Sequence, residues 1–129
     1  MLSRDHVRQF VDEWLTAWNG ADLPAIMSHY EDDVEFSSPL IAKRLGRPSG
    51  KIHGAAELRA YFQSSLSGEV PPRFTLSSIA IGTDSFAIID ENHRSQTVVE
   101  TFFPRPDMKI FRVCVCWVLG KEDRLANFL

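Results

Sequence analysis

Tyr30-Glu31-Asp32-Asp33-Val34-Glu35-Phe36-Ser37-Ser38-Pro39 is where the chain passes from helical to strand-like sequence. Tyr30 completes a helical stripe, Val34 and Phe36 alternate with polar residues as in a half-buried strand, and Pro39 fixes the exit. Helical patterns precede it, and one further helix followed only by strand patterns comes after it. A segment in that position is the expected floor of any pocket formed between the helices and the sheet.

Working upstream, Val7, Phe10, Val11, Trp14, Leu15 and Trp18 recur at helical spacing, with Ser3 available to cap the start. This helix is expected to end at Asn19-Gly20, with the glycine in the left-handed conformation. Asp22 can cap a short second helix that has Pro24 in its first turn and the stripe Leu23, Ile26, Met27 and Tyr30.

Downstream, Leu40 to Gly50 mixes Lys43, Arg44 and Arg47 with Gly46, Pro48 and Gly50, a composition that favours a mobile basic loop. The span 40–53 is either a lid or a solvated connection without a role. Leu58, Tyr61, Phe62 and Leu66 then mark a third helix ending near Ser67-Gly68. From Pro71 the period becomes two: Phe74 to Ile81, Ser85 to Asn92, Thr97 to Phe103 and Met108 to Leu119 read as an antiparallel meander. The expected class is α+β, one domain over residues 1–129 with a curved sheet wrapping three helices. The apolar end, Leu125, Phe128 and Leu129, is expected to dock on this domain or on a partner subunit.

With 129 residues, 44% hydrophobic and 24% charged, the chain can bury one core without staples. No apolar run approaches a membrane span, and the polar start Met1-Leu2-Ser3-Arg4-Asp5-His6 leaves no room for a signal peptide, so a cytoplasmic protein is expected. A net charge of −3 with interspersed signs argues against nucleic acid. Cys114 and Cys116, two apart in a strand, read as buried free thiols. His6, His29, His53 and His93 show no metal spacing, although His93 lies at a strand end next to Arg94. No metal and no cofactor are expected.

Ala17-Trp18-Asn19-Gly20-Ala21-Asp22-Leu23, Glu31-Asp32-Asp33-Val34-Glu35-Phe36 and Val98-Val99-Glu100, together with the element order, resemble the NTF2-like superfamily. Within it the chain is similar to the SnoaL-like group, which includes polyketide cyclases and is related to ketosteroid isomerase. The resemblance implies a cone-shaped (cystatin-like) half-barrel and a homodimer formed through the sheet. It leaves the reaction open, because one fold hosts many functions.

Carried over by position, the isomerase's general base falls on Ser38, which cannot take a proton unaided, so strict ketosteroid isomerisation is not expected. Its oxyanion tyrosine falls on Trp14 and its supporting tyrosine on Phe62, beside Tyr61. Its acidic oxyanion partner falls on Glu100, the one carboxyl retained. Val98, Glu100 and Phe102 share a strand face, so a cone-lining Glu100 would be desolvated and held partly protonated. The alternative leaves Glu100 in solvent or paired with Arg112. Trp14 and Trp18 read mostly as core, with at most one of them at the pocket edge. The expected ligand is a small, largely apolar molecule, with Glu100 and Ser38 as catalytic or polar contacts and Trp14, Phe36, Tyr61, Phe62, Val98 and Phe102 as walls. The rival is a non-catalytic dimeric module in which the cone is merely core.

Overall fold

A computed structural model describes residues 1–120. Its elements run α1 (Arg4–Asn19), α2 (Leu23–Met27), β1 (Tyr30–Ser37), α3 (Pro39–Leu45), β2 (Lys51–His53), α4 (Ala55–Leu66), β3 (Thr75–Ile81), β4 (Phe86–Glu91), β5 (Thr97–Pro104) and β6 (Ile110–Trp117). The strands form one sheet in the order β2-β1-β6-β5-β4-β3. All its pairings are antiparallel except β1 with β6. Thus the opening segment docks beside the last strand of the meander, and register shifts near Tyr30, Leu76 and Phe103 bend the sheet. The expected α+β architecture with a curved, mostly antiparallel sheet is present.

The helix α1 is set as its stripe requires. Ser3 Oγ accepts from the His6 N–H at 3.4 Å, and Val7, Phe10, Val11, Trp14, Ala17 and Trp18 are buried. At its end the left-handed residue is Ala21 (φ 53°), whereas Gly20 has φ −90°. Asn19 then makes two bonds to the Phe74 backbone, donating from Nδ2 at 3.0 Å and accepting at Oδ1 at 2.9 Å. That pair anchors the edge of the sheet to the helix across 55 residues of sequence.

Four helices form rather than three. Tyr30 belongs to β1, opposite Ile110, because α2 stops at Met27. The expected loop 40–50 begins with a helix: Ser38 Oγ accepts from the Leu40 N–H at 3.2 Å, Pro39 sits in the first turn, and Gly46 ends it at φ 58°. Gly50 (φ 65°) brings the chain back, its carbonyl accepting from the Ser38 N–H at 2.9 Å. A Cβ there would lie 3.0 Å from the Ser38 carbonyl oxygen, so glycine is required. The three residues of β2 follow.

Two further expectations change. Cys114 and Cys116 are free, but the first is half-buried and the second exposed, because they point from the outer face of β6 while Val113 points inward. Phe102 is core rather than wall: it is 1% exposed, stacks on Phe86 at 5.3 Å between centroids and meets Phe10 and Trp14 edge-on. The apolar end around Leu125 lies outside the described residues. Among those described, no helix is long and apolar enough to cross a membrane.

Removing the Phe102 ring should leave a void that this rigid aromatic cluster cannot refill. Phe102→Ala is expected to lower unfolding free energy by about 3–5 kcal/mol in urea titrations. A loss under about 1 kcal/mol would mean that Phe102 borders open space after all.

Candidate functional site

Between the helices and the concave face of the sheet lies a cavity of about 650 Å³, a size ordinary for a small-molecule site. Its apolar walls come from Trp14 and Trp18 on α1, Phe36 on β1, Tyr61 and Phe62 on α4, and Val98, Val115 and Trp117 on the sheet. Both helix-α1 tryptophans therefore border it, one more than expected. Their positions follow from spacing: four residues apart on a helix they share a face, and Trp18 packs edge-on against Phe62 at 4.8 Å.

Of the site residues expected from sequence, Ser38, Trp14, Phe36, Tyr61, Phe62, Val98 and Glu100 are brought together on this cavity, and Phe102 is not. Ser38 is 8% exposed and its Oγ serves as the cap of α3. Arg112, the alternative partner considered for Glu100, instead approaches Glu35, with Nε 3.4 Å from Oε2. Glu100 lines the cavity with part of its surface while its Oε2 is sealed and without a hydrogen-bond partner.

The residue that sequence reasoning missed is Asp90. It is fully buried, and neither carboxyl oxygen has a partner. Across the β4–β5 ladder Asp90 stands opposite Val98 and Ile88 opposite Glu100. The two acids are thus diagonal neighbours on the inward face, within reach of one another. A signal existed: Phe86, Ile88 and Asp90 alternate along β4, so an aspartate occupies the third inward position.

Burial sets the protonation of this group of side chains. It raises the Asp90 carboxyl to about 7. Burial, and then the nearby Asp90 charge, raises Glu100 well above the usual carboxylate range. Tyr30, also on the cavity, is held firmly as the phenol, first by burial and then by the Glu100 charge, with the Trp14 indole at its hydroxyl acting weakly in the opposite sense. The Trp18 indole N–H is buried without a partner. The cavity therefore presents a carboxyl that burial favours in its protonated form, beside the Tyr30 phenol, a donor suited to an oxygen atom. Among the described residues, no three His, Cys, Asp or Glu side chains converge as metal ligands.

Because Asp90 binds its proton more tightly folded than unfolded, its contribution to stability is complete below the ordinary aspartate range. That contribution is lost as pH rises from about 4 toward about 7. Thermal melts should fall over that window, and Asp90→Asn, which keeps the shape without the charge, should raise the melting temperature near pH 8 by roughly 5 °C or more while changing it little near pH 4. Equal effects at both pH values would show that Asp90 is not a buried acid.

The comparisons with known proteins agree with this architecture. A SnoaL-like protein of unknown function from Burkholderia thailandensis is 32% identical, with a TM-score of 0.87 over 91% of this chain and 98% of its own. A protein with a cystatin-like fold from Methylobium petroleophilum superposes with a TM-score of 0.72 at 15% identity, covering 97% of this chain and 84% of its own. The epoxide hydrolase/cyclase-like enzyme SalBIII, described for pyran ring formation in salinomycin, gives 0.73 at 20% identity over 95% and 97%. At such identities the last two speak to the fold alone. A search of curated proteins finds no significant match. The SnoaL-like domain model matches residues 11–128, nearly the whole chain, and the chain therefore belongs to the SnoaL-like family.

Proposed function

We propose that the protein binds a small, largely apolar molecule in the cone and carries out cofactor-free acid–base chemistry on an oxygen-bearing group of it. Isomerisation, cyclisation and dehydration are the reaction types that fit. The observation that carries this reading is the buried pair Asp90 and Glu100, diagonal neighbours on the inner face of the sheet, of which Glu100 lines the cavity. Glu100 would exchange the proton with the substrate, and Asp90 would position and tune it, since two adjacent carboxyls cannot both ionise at ordinary pH. Tyr30 would hold the substrate oxygen. Ser38 is committed to its cap and would act only as a polar contact.

The dimer implied by the family resemblance is a separate proposal. It is supported by the outer face of the sheet, where Phe103 and Phe111 lie 6.3 Å apart beneath Arg112 and Arg105. A filled cone with Glu100 turned outward would have favoured a module of assembly alone.

The test uses the chain's own tryptophans, all three of which border the cavity. A panel of neutral polycyclic ketones and epoxides should quench their fluorescence saturably, and any compound that is turned over should lose on the order of a hundredfold or more in kcat with Glu100→Gln, with binding largely kept. Absence of saturable quenching across the panel would favour the non-catalytic module.

A further inference from the structure

We propose that the molecule bound in this cavity is an amphiphile whose anionic group, a carboxylate or a phosphate, rests at the mouth among Lys43, Arg44 and Arg94 while its uncharged body runs inward toward Glu100. This rests on the reading of the cavity as a ligand site and adds the class and orientation of the ligand.

The charges around the cavity are divided by depth. Lys43, Arg44 and Arg94 all line it, and the one acid among the described lining residues is Glu100. The chain as a whole is acidic, with a net charge of −3, so three cations collected at one opening are a local reversal. Among the described residues, none of the three takes part in an ion pair, whereas Arg47, Lys51, Arg105 and Arg112 each have a carboxylate within 4 Å. Arg44 is held in place instead by neutral groups: its guanidinium donates to Ser65 Oγ at 2.9 Å and lies by the Tyr61 hydroxyl. Lys43 reaches over the Trp117 ring, 5.9 Å from its centroid, at the same opening. Arg94 comes from a different element, the turn between β4 and β5, where its N–H donates to Asn92 Oδ1 at 2.9 Å.

Two constraints then fix the direction of the ligand. An anion driven inward would lose its water in a medium of low dielectric beside Glu100 and Asp90, with no cation there to compensate it. Left at the mouth, it stays hydrated and gains three cations. A wholly neutral ligand would use the aromatic walls and leave those cations without a role. The helix α3, which sequence composition renders as a loop, is what presents Lys43 and Arg44 to the opening together.

The experiment titrates decanoate, decyl phosphate and methyl decanoate into the full chain at about pH 8 and follows tryptophan fluorescence. The two anions are expected to bind on the order of tenfold more tightly than the ester, with the advantage largely lost at high salt and in the triple variant K43A/R44A/R94A. An advantage confined to decanoate or to decyl phosphate supports the proposal and identifies which anion the mouth takes. Ester binding as tight as that of both anions, or a preference that survives in the triple variant, overturns this inference while leaving the apolar cavity reading intact. If none of the three binds, both fall.

Discussion

Two carboxyl groups without hydrogen-bond partners, side by side on the inner face of a sheet, are a constraint that the rest of this protein must satisfy. Burying an ionised carboxylate without compensation is costly enough that the group takes up a proton instead. Asp90 and Glu100 both do so because they are buried, and the Asp90 charge makes ionisation of Glu100 harder still. The outcome is a carboxyl held toward its protonated form at the wall of an apolar cavity, with a second buried acid beside it raised to about 7. A protein selected for stability alone has little reason to keep such a pair, since apolar residues of similar shape would serve the core better. The arrangement is the kind of local cost that functional sites carry.

The fold supplies that cost through its aromatic packing. Phe10, Phe86 and Phe102 close the cone on one side of the acids, and Trp14, Trp18, Phe36 and Phe62 line the open side. Water is kept from the carboxyls by the first group and admitted to the cavity past the second. The parallel pairing of β1 with β6 places Phe36 opposite Val113, joining the helix-to-sheet transition to the far end of the meander. The Asn19 to Phe74 hydrogen bonds fasten the other edge. Curvature between these two attachments makes the space.

Much of this was legible in the sequence because its physical signals were strong. The stripe of α1 runs from Val7 to Trp18, about three turns, and the strand alternation of β4 to β6 is sustained. Period alone put Glu100 on one face with Val98 and Phe102 and left open whether that face lined the cone or met solvent. What was not legible follows from competing signals. Ser38-Pro39 followed by Gly46 is a helix start and stop, but Pro39 also reads as the end of a strand, and the basic composition between them reads as loop. Tyr30 fits the stripe of α2 by spacing, yet the helix ends three residues earlier, and the phenol that results from this shift belongs to the site. Phe102 and Val98 share a face, but only the curvature of the sheet decides which lies under the helices and which borders the opening. Asp90 has only its place in the β4 alternation to mark it in the sequence, and the pairing with β5 is what shows it buried on the inner face.

The fold therefore follows from periodicity, and the chemistry from which inward positions the curvature seals. The claim on which the functional account rests is that Asp90 and Glu100 form a desolvated, proton-sharing pair. Carboxyl-carbon NMR titration of both residues, assigned with Asp90→Asn and Glu100→Gln, tests it most directly. The account predicts that both titrate well above the ordinary carboxylate range, Asp90 at about 7, and that removing the Asp90 charge shifts Glu100 downward. Two independent titrations near the model-compound values of about 3.9 and 4.3 would contradict it.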